Sequence, residues 1–292
     1  MKKVTINEIV AKKRRGERLV ALTAYDATFA RLIDDAGVDI ILVGDSLGMV
    51  IQGQANTLPV TLDDIIYHTR AVARGCNHAH VVADMPFMTY QASVEDAVRN
   101  AGRLLAEAGA ESVKLEGGSE VAATVQRMVQ AGIPVMGHVG LTPQSVHALG
   151  GFVVQGKTDA DAQRVLDDAR RLEDAGCYAI VVESVPALVA EAITRALTIP
   201  TIGIGAGPDC DGQVLVIYDL IGLNPAFKPR FVKRYAELGA AVQNAVASYA
   251  DEVRRGVFPD ASHAFESKLL TRVPVPADDT EAEVLALYGT VR

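Results

Sequence analysis

The stretch VDIILVGDSLG, residues 38–48, is an apolar run that ends abruptly at Gly44 and Asp45. A continuous apolar run of this length is typical of a strand buried on both faces, because a parallel sheet is covered by helices on both sides. The stretch therefore predicts a strand of a parallel sheet, with Asp45 just past its C-terminal end.

Four later apolar runs end in the same way. The runs at 80–83, 112–115, 135–137 and 179–182 are each followed at once by an ionisable residue, and these residues are Asp84, Glu116, His138 and Glu183. In a parallel α/β barrel, the loops at the C-terminal ends of the strands build the active site. We therefore expect the active site where these side chains and Asp45 gather.

The number of strands separates a closed barrel from an open sheet. Eight strands are predicted to alternate with helices, at 19–23, 38–43, 80–84, 112–116, 134–138, 178–183, 200–205 and 213–218. Eight β-α units predict the α/β class and a single (β/α)8 TIM barrel. The alternative, an open dinucleotide-binding sheet, requires a Gly-x-Gly-x-x-Gly turn after a strand, and GIGAG at 203–207 has the wrong spacing.

Capping residues place the helices between the strands. Thr5, with Glu8 three residues later, starts an N-terminal capping helix that we expect to close the bottom of the barrel. Thr61, Ser93 and Ser119 are predicted to start later helices. Left-handed caps are predicted at the glycines that end the helices, namely Gly37, Gly75, Gly109, Gly132 and Gly176.

The barrel leaves a C-terminal remainder. We expect the barrel domain to span residues 1–260, including a helix at about 236–256 after strand eight, and a helical extension to span 261–292 with a short helix near 280–288. Because the tail continues far beyond a finished barrel, it is expected to pack on a neighbouring subunit.

Composition narrows the function classes. The 292 residues carry a net charge of −8 and the sequence pI is 5.3, so no broad basic surface is available for nucleic acid or an anionic membrane. No apolar run is long enough for a transmembrane helix. Three scattered cysteines, Cys76, Cys177 and Cys210, favour a reducing cytoplasm over a disulfide framework.

Three carboxylates predict a metal site. Asp45, Asp84 and Glu116 gather at one end of adjacent strands and would repel one another unless a hard divalent cation lay among them, and magnesium suits oxygen ligands best. Lys114 lies two residues before Glu116 and must share its face of the strand. The alternative is a structural ion pair between Lys114 and Glu116 that closes the barrel mouth.

These residues predict magnesium-assisted chemistry on an α-keto acid through an enolate. A metal can chelate the keto acid, Lys114 can neutralise the remaining charge, and Glu183 suits the role of acid/base group. His138 is either a substrate-binding residue at the site or a buried histidine with a structural role. His78 and His80, at the start of a strand, are expected at the surface.

Two long connections and one basic segment complete the analysis. The connections at 49–60 and 139–158 lie at the ionisable end and are expected to be lids. The basic segment contains Lys228, Arg230, Lys233 and Arg234, which contact either an anionic substrate or a subunit.

The chain closely resembles the 3-methyl-2-oxobutanoate hydroxymethyltransferase family, also called ketopantoate hydroxymethyltransferase, the first committed enzyme of pantothenate synthesis. The resemblance covers about residues 3–260; after about Ser262 no family pattern continues. It rests on six motifs in order: LTAYD at 22–26, VGDSLG at 43–48, ADMPF at 83–87, VKLEG at 113–117, GHVGLTPQ at 137–144 and GIGAG at 203–207.

This resemblance implies roles for the site residues. Asp45, Asp84 and Glu116 would surround magnesium, with Glu116 acting directly or through water. Ser46 and Lys114 would join the two aspartates in holding the keto acid, and Glu183 would accept the proton. The resemblance also implies 5,10-methylenetetrahydrofolate as the one-carbon donor and a homodecamer built from pentamers.

Two other function classes compete with this interpretation. A magnesium-dependent C–C lyase or mutase of the isocitrate lyase and phosphoenolpyruvate mutase type would share the barrel and the enolate, but it is expected to carry a reactive cysteine in a lid loop. None of the three cysteines lies in either long connection. A non-catalytic binding barrel would have a broken set of site residues, and this set is complete.

Overall fold

A computed structural model describes residues 2–225 and 229–266. Eight parallel strands form a closed barrel in which each strand pairs with the next along the chain and the last pairs with the first. The strands are β1 (Leu19–Thr23), β2 (Ile40–Val43), β3 (His80–Asp84), β4 (Ser112–Lys114), β5 (Val135–Gly140), β6 (Ala179–Glu183), β7 (Thr201–Ile204) and β8 (Gly212–Leu215). The predicted TIM barrel is confirmed.

Helices alternate with the strands on the outside of the barrel. Within the described residues they are α1 (Ile6–Arg15), α2 (Ala27–Asp35), α3 (Leu47–Val50), α4 (Leu62–Gly75), α5 (Val94–Ala108), α6 (Ala122–Gln130), α7 (Asp159–Asp174), α8 (Ala187–Ala196), α9 (Ile217–Leu220) and α10 (Leu238–Arg254). Short 3-10 turns occur at Ser119–Val121, Pro143–Ser145 and Ala261–His263.

The inside of the barrel is a packed core that α1 closes from below. Side chains from alternate strand positions form this core, and Val4 and Ile9 belong to the same cluster. The Thr5 hydroxyl accepts a hydrogen bond from the backbone N–H of Glu8, and Gly16 ends α1 at φ 71°. The predicted capping helix is thus confirmed, and its apolar face adds to the core at the bottom of the barrel.

His80 is buried, so the prediction that it lies at the surface is wrong. Its side chain points into the lower end of the barrel, where Nε2 lies 2.9 Å from the Ser112 hydroxyl. That hydroxyl also lies 2.9 Å from the Tyr178 hydroxyl. The alternation of β3 turns His80 inward, and these polar partners offset the cost of its burial.

Most of the predicted helix caps are present. Thr61 forms a complete capping box with Asp64, Ser93 accepts from Asp96, and the terminal glycines such as Gly109 have positive φ. One prediction is wrong: Gly75 is the last helical residue and forms no left-handed cap, and it lies so close to α2 that a Cβ would be 2.3 Å from the Ala27 carbonyl oxygen. A helical segment does start at Ser119, as the 3-10 turn that leads into α6, although Ser119 makes no capping bond.

One connection lacks a helix. Residues 205–211 join β7 directly to β8, so the outer wall formed by β8 and β1 has no helix of that unit to cover it. Val20 is 48% exposed on this wall, and Gln213 is exposed beside it. A cavity of about 1050 Å³ runs along the wall, from Ser184 at the upper end to Arg18 at the lower end.

The described chain falls into two compact units, one ending at Ala240 and the other beginning at Ala241. The predicted helix after β8 is present as α10. The predicted final helix near 280–288 lies outside the described residues. No helix in the described part of the chain is long and apolar enough to cross a membrane.

Candidate active site

The C-terminal ends of β2, β3 and β4 bring three carboxylates together. Asp45 follows β2, Asp84 is the last residue of β3, and Glu116 lies two residues past β4. Each keeps less than 5% of its surface exposed. The backbone N–H of Asp45 donates to Asp84 Oδ2 over 3.3 Å, which ties the ends of β2 and β3.

Lys114 is the cation of this cluster. Its Nζ donates to Asp84 Oδ2 over 2.9 Å and to Glu116 Oε1 over 3.4 Å. The prediction that Lys114 and Glu116 share one face of the strand is confirmed. Because the shorter contact goes to Asp84, Lys114 acts on the whole cluster and is not confined to one ion pair with Glu116.

Gln144, a residue to which the sequence analysis assigned no role, joins two of the carboxylates. Its side-chain Nε2 donates to Asp45 Oδ2 over 3.0 Å and to the Met85 carbonyl over 2.9 Å, and its backbone N–H donates to Glu116 Oε2 over 3.0 Å. Gln144 is 4% exposed and lies in the 3-10 turn after β5. Gln144 is the last residue of the GHVGLTPQ motif, and its place in that motif was the one sequence feature that could have pointed to it.

Tyr90 is a second residue that the sequence did not reveal. Its hydroxyl lies 2.8 Å from Gln144 Oε1 and accepts from the backbone N–H of Glu116 over 3.1 Å. Tyr90 belongs to the loop after β3, whereas Gln144 belongs to the loop after β5. The two side chains therefore clasp the end of β4 from both sides.

The buried charges perturb one another. Burial, together with the nearby Asp84 and Glu116 carboxylates, raises the pKa of Asp45 to about 8. Burial also raises the pKa of Asp84, against the pull of Lys114. For Glu116, burial is outweighed by Lys114 and His138, so its pKa is lowered. The cluster thus contains three carboxyl groups and one lysine, so Lys114 alone cannot balance the negative charge of all three carboxylates.

The donor chemistry of the cluster fits a hard divalent cation. Within the described chain, no three histidine, cysteine, aspartate or glutamate side chains are close enough to hold a metal ion as they stand. Asp84 Oδ1, however, is buried and finds no hydrogen-bond partner among the described residues. An unpaired carboxylate oxygen in an acidic cluster suits magnesium, which prefers oxygen ligands.

His138 lies between the cluster and Glu183. Its Nδ1 is 3.5 Å from Glu116 Oε1, and its Nε2 is 3.3 Å from Glu183 Oε2. Both contacts are electrostatic and not well-formed hydrogen bonds. Although burial and Lys114 oppose the positive charge, the two glutamates raise the pKa of His138 to about 9. The two glutamates thus favour the protonated form of the imidazole.

Ser46 lies at the edge of the site and is less buried than the carboxylates. Its hydroxyl lies 2.8 Å from the Tyr25 hydroxyl, which belongs to the LTAYD motif after β1. This contact fixes the rotamer of Ser46 and connects the end of β1 to the end of β2.

The basic segment divides into residues with different environments. Arg234 is held by Glu237 and by the carbonyls of Asn224 and Pro225, so it has a structural role. Lys233 lies over the ring of Tyr235. Arg230 lines the cavity of about 1050 Å³ beside β8, and Lys228 lies outside the described residues.

A TIM barrel that gathers buried carboxylates, a lysine and a separate glutamate at the C-terminal ends of its strands defines an enzyme. The chain belongs to the ketopantoate hydroxymethyltransferase family, whose model matches residues 3–261. It is accordingly a transferase, and the family resemblance seen in the sequence motifs is confirmed.

Two relatives illustrate this membership. The 3-methyl-2-oxobutanoate hydroxymethyltransferase of Anaeromyxobacter dehalogenans is 58% identical over 286 residues, covering 97% of this chain and 94% of the relative. That of Syntrophus aciditrophicus is 58% identical over 264 residues, covering 90% of this chain and 97% of the relative. The match to the first relative therefore continues into the C-terminal tail.

Solved structures share the fold at much lower identity. A phosphonopyruvate hydrolase matches with a TM-score of 0.59 at 15% identity, over 99% of this chain and 95% of that chain. A 2,3-dimethylmalate lyase of the phosphoenolpyruvate mutase and isocitrate lyase superfamily matches with a TM-score of 0.57 at 17% identity, over 90% of this chain and 92% of that chain. These matches support the barrel architecture and do not bear on the reaction.

Proposed function

We propose that this enzyme transfers a hydroxymethyl group from 5,10-methylenetetrahydrofolate to 3-methyl-2-oxobutanoate, giving 2-dehydropantoate for pantothenate biosynthesis. The observation that carries the proposal is the position of Glu183, 3.3 Å from His138, which in turn lies 3.5 Å from Glu116. A candidate base, Glu183, and the acidic cluster thus lie on opposite sides of the His138 ring. The proposed reaction needs a base to remove the proton beside the ketone and a site that holds the keto acid next to that base.

The acidic cluster is proposed to hold the keto acid end of the substrate. Asp45, Asp84 and Glu116 would hold magnesium, with Glu116 acting directly or through water, and the bound cation supplies the positive charge that stabilises an enolate. Both oxygens of Glu116 already accept hydrogen bonds or ionic contacts, which favours a water-mediated role. Lys114 adds a buried positive charge for the substrate carboxylate, and Ser46 offers a hydroxyl at the edge.

Glu183 is proposed as the base that takes the proton beside the ketone. It is the more exposed of the two glutamates, with 16% of its side chain accessible against 2% for Glu116, so a substrate can reach it. His138 carries a proton at neutral pH and orients Glu183 through its Nε2. His138 is also proposed to contact the substrate. Because Glu116 and Glu183 lie next to its two ring nitrogens, this contact requires one of the glutamates to move away from the ring.

Assembly and compartment belong to the same proposal. A homo-oligomer, by family resemblance a decamer, would give the C-terminal tail a neighbouring subunit to pack on. The three cysteines are free in the structure, which is compatible with a reducing cytoplasm. The competing lyase or mutase activity gains no support, because Cys177 and Cys210 are buried and no cysteine lies in a long connection.

The deciding experiment measures formation of 2-dehydropantoate from 3-methyl-2-oxobutanoate and 5,10-methylenetetrahydrofolate. Excess chelator is expected to abolish the activity, and added magnesium is expected to restore it. Full activity in chelator would remove the metal from the mechanism. Absence of product with metal and both substrates present would contradict the proposed reaction itself.

A further inference from the structure

We propose that Gln144 is the positioning residue of the carboxylate cluster, holding Asp45 and Glu116 together where a cation would bind. The inference rests on the proposed magnesium site and adds to it a residue with no assigned role. The polar contacts of Gln144 go to Asp45, Glu116, Met85 and Tyr90, so it would act through the carboxylates that it holds.

The orientation of the Gln144 amide follows from its partners. One end of the amide faces Asp45 Oδ2 and the Met85 carbonyl, and the carbonyl can only accept. That end must therefore be the NH₂ group, and the amide oxygen must face Tyr90. Since only one of the two flipped orientations satisfies all three partners, the side chain has a single arrangement.

This arrangement divides the carboxylate oxygens into held and available ones. Gln144 Nε2 engages Asp45 Oδ2, and Lys114 engages Asp84 Oδ2. Asp84 Oδ1 is buried and has no hydrogen-bond partner among the described residues. One oxygen of each aspartate is thus held by the protein, and Asp84 Oδ1 is left for a cation. Hydrogen-bond partners of this kind orient metal ligands and tune their affinity.

Gln144 also couples the loop after β5 to the cluster. Its backbone N–H donates to Glu116 Oε2, and its side chain reaches Asp45 on the far side of β4. Any movement of this loop therefore moves two of the three carboxylates. Tyr90, from the loop after β3, holds the amide from the opposite side.

The test replaces Gln144 with methionine, which has a similar length and can neither donate nor accept strongly. The backbone N–H to Glu116 is kept, so only the side-chain bonds are lost. We expect the magnesium dissociation constant, measured by calorimetry without substrate, to rise by about 10- to 100-fold, the usual effect of losing a partner of a metal ligand. We expect KM for the keto acid to rise at limiting magnesium and to recover at saturating magnesium.

Gln155→Met is the matched control. Gln155 lies in the same loop, but its amide donates only to the Val153 carbonyl at the surface. Its magnesium affinity should stay within about threefold of the wild type. Equal affinities for wild type, Gln144→Met and Gln155→Met would overturn the role of Gln144, whereas a wild type that binds no magnesium would overturn the proposed metal site instead.

A second variant covers the case in which Gln144→Met does not fold. Tyr90→Phe keeps the ring and removes the hydroxyl, which holds the Gln144 oxygen and also accepts from the backbone N–H of Glu116. Because Gln144 and Glu116 each lose a partner, the magnesium dissociation constant should rise by at least about fivefold. Unchanged magnesium binding in a folded Tyr90→Phe protein would overturn the proposed arrangement.

Discussion

Glu183 and His138 are in contact at the edge of the acidic cluster, and the carboxylate of one attracts the protonated ring of the other. The two flanking glutamates favour the protonated imidazole, which lies 3.3 Å from Glu183. These contacts support the proposed division of work between a cationic histidine and a carboxylate base.

The first prediction concerns Glu183→Gln, which keeps the size of the side chain and removes its basicity. Hydroxymethyl transfer should fall by about 10²- to 10⁴-fold, the usual contribution of a positioned general base. Magnesium and keto acid should still bind, since Asp45, Asp84, Lys114 and Glu116 remain. The decisive measurement omits folate: in deuterated water the wild type should exchange the hydrogen beside the ketone.

The Glu183→Gln variant should not catalyse this exchange. Glu191→Gln, the same substitution on the outer surface of α8, should exchange at the wild-type rate. If Glu183→Gln exchanged as fast as the wild type, another group would be the base and Glu183 would have a structural role.

The second prediction uses the raised pKa of Asp45 in protein stripped of divalent cations. The pKa is about 8 in the folded state and near 3.8 when unfolded, so the folded state holds the extra proton in between. Asp45 therefore contributes stability that is fully present below about pH 4 and is lost as pH rises through 8. Magnesium should remove this loss.

Urea unfolding at pH 5, 7 and 8.5 measures this effect. Other groups titrate in the same range, so the informative quantity is the difference between the wild type and Asp45→Asn. The wild type should lose more stability than the variant as pH rises in chelator. Parallel pH profiles for the two proteins would contradict the assignment.

The positions of the candidate site residues were predictable from sequence where a strand carries them and not where a loop does. Asp45, Asp84, Glu116, His138 and Glu183 lie together because parallel strands end on one rim, and their roles stay predictions. Gln144, Tyr90 and Tyr25 reach the site from loops, and their contacts depend on the path of the chain between strands. No periodicity in the sequence encodes such a path.

At the scale of elements, the eight strands and the capping helix were predictable because apolar runs and caps are local signals. The error at Gly75 shows the limit of such signals. An Arg-Gly pair at a helix end resembles a left-handed cap, yet this glycine is helical because α4 packs directly against the backbone at Ala27. Close packing between elements is a tertiary property.

The third prediction follows from this packing. Gly75→Ala would place a Cβ at 2.3 Å from the Ala27 carbonyl oxygen, so it should lower the free energy of unfolding by about 1–3 kcal/mol. Gly102→Ala, within α5, meets nothing within 4 Å and should raise the free energy of unfolding by about 0.5–1 kcal/mol. Denaturant titration of both variants checks the pair, and equal effects would contradict the packing argument.

At the scale of the whole molecule, α10 presents an apolar stripe that is exposed in the part of the chain that the structure describes. Residues three and four apart lie on one helix face, and five such residues are between 41% and 61% exposed: Leu238, Val242, Val246, Tyr249 and Val253. Only Gly239 is buried along this helix. A surface of this kind indicates an interface, and we expect it to join copies of the chain.

The fourth prediction tests the stripe by charge. Val246→Glu should lower the mass of the oligomer measured by light scattering, because a carboxylate in an apolar interface is costly. Asn244→Glu adds the same charge on the opposite face of α10 and should leave the mass unchanged. If both variants kept the wild-type mass, the stripe would not be the contact between copies.

Residues 205–211 leave the wall of β8 and β1 with apolar side chains such as Val20 in water. Within the described residues this wall is only partly covered, and any association that covers it would stabilise the folded form by mass action. Dilution would then act on this protein as a mild denaturant, and its thermal midpoint would climb with concentration, as it would not for a fully coated barrel.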